Sequence, residues 1–429
     1  MARRNPGPGR CLPSGAAMRA TPRAIMSGRT RNSELTYRGN RGRGRHDWLR
    51  LTPAYSLSVV EGLLDEVDAK ERVLDPFSGT ATTTLAAASR GHEAVSCDIN
   101  PFLIWLGETK LQRYSGRLLA EVKALSITLA QAARRSDGAR SDAPPIHRIE
   151  RWWHAEALDY LRALHAGIEA EGSARSPRGR LLRVAFCRTL MALSNAAFDH
   201  PSMSFDDARP QERDRALFAA RFQDDVAHVV QSATPAPSRR GRVLCCDSRD
   251  LTELGEQRFD RVITSPPYPN RMSYVRELRP YMYWLGHFKE AHEAGELDWR
   301  AIGGTWGIAT SRLISWTPRG EVEPASLAPM LTRVEAGHAK NGPLLARYLR
   351  RYFEDTSRHL RALRQHLTPG AAVHYVVGNS TFYDVLVPVE ALYAELLEQH
   401  GFAGVEVKRI RKRNSKKALF EFSVSARLR

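Results

Sequence analysis

The chain reads as an α/β protein, a doubly wound and mostly parallel sheet carrying a long helical insertion. Three observations predict this. In ERVLDPFSGTATTTLAAASRG (71–91) a short strand, a glycine turn and a helix of small residues follow one another, and HEAVSCDIN (92–100) supplies a second strand. That β-turn-α-β order opens a doubly wound sheet. From about 101 to 235 the pattern changes to apolar residues at helical spacing, separated by Ser-, Pro- and charge-rich linkers. Strand patterns then resume at GRVLCCDSRD (241–250), FDRVITSPPY (259–268) and AAVHYVVGNS (371–380).

Each part follows in order. Residues 1–45 set many arginines against a single acid, Glu34, with scattered Gly, Pro and Ser, and are expected to form a disordered basic arm. Apolar residues at helical spacing from Tyr55 through Leu64 lead into the first strand. The sheet domain is expected to comprise 46–105, 236–275 and 345–429, with the helical insertion at 106–235. The stretch 276–344 follows the strand of FDRVITSPPY directly and is expected to overhang its end. The helix LLARYLRRYFEDTSRHLRALRQHL precedes the strand AAVHYVVGNS, and FAGVEVKRIRKRNSKKALFEFSVSARLR closes the chain as two strands joined by a basic turn.

Composition narrows the function classes. A chain of 429 residues with 42% hydrophobic content can bury a large core, and no run of about 18 apolar residues predicts a membrane span. The five cysteines form no CxxC pair, so a reducing cytoplasm is expected and no metal site. The net charge of +17 predicts attraction to polyanions, nucleic acid first. An arginine-favouring codon usage accounts for the same excess equally well.

Two loops carry chemistry. In DPFSGT (75–80) the chain leaves a strand, turns at Gly79 and enters a helix whose first N–H groups are free. Asp98 ends the next strand, where an acid takes ribose hydroxyls in nucleotide-binding folds. The acidic Asp75 suits the ammonium of a short polar tail on an adenosine. An ordinary strand-to-helix turn is the alternative for the loop alone. No GxxxxGK[ST] sequence occurs, which disfavours ATP hydrolysis of the P-loop type. In VITSPPYPN (262–270) two prolines remove backbone donors and stop a strand beside an aromatic ring. A rigid holder at a strand end is the reading; a strand-ending turn with a core tyrosine is the alternative.

Together the loops resemble those of amino-methyltransferases that act on nucleic acids. DPFSGTATT is similar to their S-adenosylmethionine loop, usually written DPFxGSGTT, and TSPPY to their catalytic motif [DNS]PP[YFW]. The segment HDWLRLTPAYSLSVVEGLL (46–64) looks like the helical motif that closes the methionine side of the site. The resemblance implies a Rossmann-like class I methyltransferase sheet, with S-adenosylmethionine as cofactor and Asp75, Phe77, Ser78, Gly79, Thr80, Asp98 and Asp247 as its binding residues. Ala81 departs from the usual second glycine of the loop.

The resemblance also implies a substrate, an exocyclic base amine in double-stranded DNA with the base flipped out of the helix. Ser265 and the Pro266 carbonyl would accept the amine hydrogens, Pro267 would hold those acceptors still, and Tyr268 would stack on the base. Ser at the first motif position occurs chiefly in cytosine-N4 enzymes, so cytosine N4 is expected, with adenine N6 or an RNA base amine as alternatives. Glutamine-amide methylation in protein and a catalytically silent DNA-binding protein are further rivals. Asp247 would receive the adenine amino group or else cap a helix. Asn270, Arg271 and the turn RKRNSKK (411–417) are candidate substrate contacts or plain turns. Trp152, Trp153 and His154 sit on a helix, where an aromatic cluster is more often core than a stacking surface. The stretch 276–344 and the insertion are rivals for reading the target sequence.

Overall fold

In the computed structural model the described residues are 34–429, except 52–53, 68, 137–141, 198–203, 207–211, 305–307 and 414–417. Seven strands form the central sheet: β1 (Arg72–Asp75), β2 (Glu93–Asp98), β3 (Gly241–Cys245), β4 (Phe259–Thr264), β5 (Leu367–Gly378), β6 (Phe402–Lys412) and β7 (Phe420–Leu428). Their spatial order is β6-β7-β5-β4-β1-β2-β3. The five strands from β5 to β3 are parallel, and β7 and β6 add on antiparallel. This is the Rossmann-like class I sheet.

The inner parallel strands are covered on both faces, which is why they read as apolar runs without alternation, whereas the edge strand β3 buries only Val243. One cover is the helix Thr82–Ser89, whose first seven residues, Thr82 to Ala88, are all buried. Small side chains suit it because the neighbouring helix Pro101–Leu111 also comes close to the sheet. A Cβ on Gly107 would stand 2.7 Å from Val243 and 3.1 Å from Ala81. The helix stops just before Gly91, which takes φ 84°.

The insertion is helical, built from Gly116–Arg135, Ala155–Ala170, Pro177–Ala192 and Arg215–Ser232. Against the single helix expected to carry Trp152, Trp153 and His154, the chain breaks at Trp153, and His154 caps the helix that follows. Trp153 is fully buried, while Trp152 is half-buried and stacks on it at 5.6 Å. The insertion does not keep its core to itself. Trp48, Phe102, Val275, Leu278, Met282 and Leu297 join it. Ile302, Leu313, Leu327 and Val334 pack instead against the sheet side, with Leu74 and Val262. The stretch 276–344 is therefore divided between two cores.

The expected basic arm gives way to built structure before residue 45. Residues 1–33 lie outside the described residues, but Tyr37–Asn40 and Gly44–Asp47 form two 3-10 helices. Asn40 accepts from the Leu57 N–H at 2.8 Å and donates to the Tyr55 carbonyl at 3.1 Å, tying this segment to the helix Leu57–Asp65. Arg45 is buried and bonds the carbonyls of Lys110 (2.5 Å), Gln112 (2.6 Å) and Ala233 (3.0 Å). Burial lowers its pKa to about 10. An arginine in a basic run gave no hint of this role; it clamps the entry to the insertion against its exit. Arg45→Ala is expected to cost about 3 kcal/mol, roughly 1 for each orphaned carbonyl. Urea unfolding checks this, and an unchanged midpoint would contradict it.

Candidate active site

Both loops emerge at the carboxyl ends of adjacent strands, β1 and β4, which pair in parallel through Val73–Arg261 and Leu74–Val262. Ligands of open α/β sheets bind at that edge. A cavity of about 710 Å³ lies there, and Phe77, Ser78, Gly79, Thr80, Asp98, Asp247, Ser265, Pro266, Pro267, Tyr268 and Asn270 all line it. Residues up to 386 positions apart meet on its walls, from Leu35–Arg38 at one end of the described chain to Arg411, Arg413 and Glu421 at the other.

The cofactor-type loop is pinned from several sides. Gly79 takes φ 50° and donates its N–H to Asp98 Oδ2 at 2.9 Å. Ser78 donates its N–H to the Cys97 carbonyl at 2.8 Å, and its hydroxyl bonds that of Ser96 at 2.9 Å. Phe77 packs edge-on to His359 at 5.0 Å. Ala81 adopts the left-handed conformation, φ 58° and ψ 35°, which explains why a second glycine would sit comfortably there. Underneath, the buried Lys110 donates to the Thr80 carbonyl at 2.9 Å, and burial lowers its pKa to about 7. No motif pointed to Lys110.

The two strand-end acids differ in kind. Burial pushes Asp98 up to about 7, against the lowering effect of N–H bonds from Asn100 (2.8 Å) and Gly79. It lines the cavity. Asp75, expected at the ligand's ammonium, lies wholly beneath the cavity floor instead. One of its oxygens accepts from the Thr264 hydroxyl at 2.6 Å and the Phe77 N–H at 3.1 Å. Burial raises it to about 6. The bonded oxygen braces the two loops, and the other, Oδ2, is buried with no hydrogen-bond partner among the described residues.

At the second loop Ser265 donates its hydroxyl to the Val376 carbonyl at 3.1 Å. That bond uses the hydrogen and leaves the oxygen's lone pairs to accept. The Pro267 carbonyl accepts from Tyr352 at 2.8 Å, and Tyr352 meets the Tyr393 hydroxyl at 2.9 Å. The Pro266 carbonyl has no partner among the described residues. The Tyr268 N–H donates to Tyr274 at 3.0 Å, fixing the turn. Its ring lies against Gly378, where a Cβ would come within 2.8 Å of it, and under the Arg413 guanidinium at 5.8 Å.

Other expected residues take humbler places. Asp247 begins a turn, not a helix, and its carboxylate is engaged by Arg249 at 2.6 Å. Burial raises Asp247, but Arg249 outweighs it and the net shift is downward. Asn270 accepts from the Met272 N–H at 3.0 Å, and Arg271 is exposed in the left-handed region. In the basic turn, Arg411 and Arg413 reach the cavity and Arg411 pairs with Glu421 at 2.6 Å, while 414–417 lie outside the described residues. From the stretch 276–344, Leu278, Leu297, Arg300, Ala301 and Ile302 do overhang the cavity. No group of three or more possible metal ligands, and no helix long and apolar enough to cross a membrane, occurs among the described residues.

Comparison with known proteins agrees with this geometry. A family model of D12 class N6 adenine-specific DNA methyltransferases matches residues 57–137, which hold the DPFSGT loop and Asp98 but end before SPPY. The Type II methyltransferase M.BsoBI of Geobacillus stearothermophilus is 21% identical over 421 residues, 88% of this chain and 82% of the relative. The Type II methyltransferase M.AvaI of Nostoc sp. is 21% identical over 294 residues, 59% of this chain and 56% of the relative. The rRNA methyltransferase aviRa from Streptomyces viridochromogenes aligns over 87% of this chain at 11% identity and a TM-score of 0.28; the fold rests on strand order, not on that likeness. Loops, sheet and relatives agree on a methyltransferase that uses S-adenosylmethionine and is similar to the enzymes that methylate amino groups in DNA.

Proposed function

We propose that the chain methylates an exocyclic amine of a base flipped out of duplex DNA, cytosine N4 in the first place, as a modification enzyme akin to Type II methyltransferases. The observation that carries this reading is the shared cavity, where the DPFSGT loop and SPPY face one another. A cavity of about 710 Å³ falls in the ordinary range for small-molecule sites. The residues fit the cofactor: Asp98 for the ribose hydroxyls, the Phe77–Thr80 loop against the adenosine, and residues 35–38 closing over it. S-adenosylmethionine supplies an electrophilic methyl group on sulfur.

The chain's own work is positional. An exocyclic amine is a weak nucleophile because its lone pair is delocalised into the ring. Ser265 Oγ and the Pro266 carbonyl accept its two hydrogens and turn the lone pair toward the methyl group. Tyr268, braced by Gly378 and Arg413, holds the base by stacking. The nitrogen held by Ser265 and Pro266 would take the methyl group of bound S-adenosylmethionine, the sulfur keeping the electron pair, and would release one proton to water. Such placement lowers the barrier without a covalent enzyme–base adduct. Ser265 favours cytosine N4. The D12 family match favours adenine N6, although the matched residues stop short of the loop that meets the base.

The test is incubation with S-adenosylmethionine and mixed-sequence duplex DNA, followed by nucleoside mass spectrometry. N4-methylcytosine is the expected product; N6-methyladenine would move the target to the second reading, and no methylated nucleoside would overturn the function. Asp98 generates a pH dependence. Its folded pKa of about 7 lies above the ordinary value near 3.9, so it stabilises the ligand-free fold at low pH and that contribution is lost as pH rises through about 7. Ribose hydroxyls need the ionised form. Cofactor affinity should therefore be flat above about 7 and fall up to about tenfold per pH unit below it. Calorimetry from pH 8 to 5.5 reads this, and Asp98→Asn should bind weakly without that step.

A further inference from the structure

A second cavity, of about 610 Å³, opens between the helical insertion and the segment that follows the SPPY loop. Arg148, Arg151, Arg276 and Arg279 line it together with the rings of Trp152 and Phe205, and no Asp or Glu does among the described residues. The aromatic side is ordered: Phe205 stands edge-on to Trp152 at 5.1 Å, with the Arg151 guanidinium 4.6 Å from its ring. Two of the cations are uncompensated. Arg148 and Arg279 make no ion pair among the described residues, and the Arg279 Nε is buried without a hydrogen-bond partner. A cluster of like charges at a concave, half-apolar wall is self-repelling. It is relieved by a polyanion that also carries flat apolar groups.

The cavity is joined to the active site by one short element. Val275 and Leu278 face the catalytic cavity, whereas Arg276, Arg279 and Pro280 of the same run face the second one. A helix is about 10 Å across with side chains, so the two cavities stand roughly three base-pair rises of 3.4 Å apart. We propose that this cavity is a substrate DNA site, which grips the sugar-phosphate backbone flanking the flipped base through Arg148 and Arg279. The proposal rests on the DNA-methylating reading above and names where that DNA is held. Trp152 and Phe205 supply a stacking wall for a nucleotide unpaired beside the target.

The test is fluorescence anisotropy of the full chain with a labelled DNA duplex over a series of salt concentrations. Arg148→Ala/Arg279→Ala should weaken binding and reduce the slope of log K against log salt by about 1.8, the value for two phosphates at about 0.9 each. S-adenosylmethionine affinity should stay unchanged, and Arg148→Lys/Arg279→Lys should keep most of the slope. Arg148→Ala alone, at an exposed position, should remove about half of the effect. An unchanged slope in the double variant, with tight binding retained, would overturn the proposal and leave the catalytic reading standing. A wild-type chain that binds cofactor but no DNA would overturn both. A slope change seen with an RNA hairpin and not with duplex DNA would assign the cavity to another substrate.

Discussion

The buried bond between the Asp75 carboxylate and the Thr264 hydroxyl, 2.6 Å long, is the contact on which the site depends. Asp75 ends the strand that feeds the cofactor-type loop, and Thr264 ends the strand that feeds SPPY. Parallel pairing alone sets the strands side by side; it does not fix how the chain leaves them. The bond does, because it ties the last residue of one strand directly to the last residue of the other, out of reach of water. The Phe77 N–H on the same oxygen extends the brace into the loop. The DPFSGT and SPPY loops hang from these two strand ends.

Around that brace the chain brings in distant parts to close the walls. Residues 35–38 arrive from the amino-terminal side, held by Asn40 and Arg45, and the β6–β7 hairpin arrives from the other end with Arg411 and Arg413. Tyr268 is gripped between strand and hairpin, since Gly378 yields room for its ring and Arg413 lies over it. Packing of this kind holds a ring in one place; burial also drives its hydroxyl pKa well up, so the ring stays neutral.

Much of this was legible because local chemistry and fold agree where the chain turns sharply. Gly79, the paired prolines and Asp98 each answer a backbone or charge requirement that spacing exposes. The depth of Asp75 could not be read because it depends on Thr264, 189 residues away. Arg45 and Lys110 went unseen for the same reason: each is a cation whose partners are distant carbonyls. The division of 276–344 between two cores has no sequence signal either, for apolar residues look alike whichever core receives them.

The central claim is that the Asp75–Thr264 bond registers the two loops, and Thr264→Val tests it most directly by removing the hydroxyl at nearly constant shape. Methyl transfer to DNA and cofactor affinity would be measured on the same folded sample. The account predicts turnover reduced on the order of 10- to 100-fold, the scale of an ångström-sized misplacement, with cofactor affinity changed far less. Turnover equal to that of the unaltered chain would contradict it.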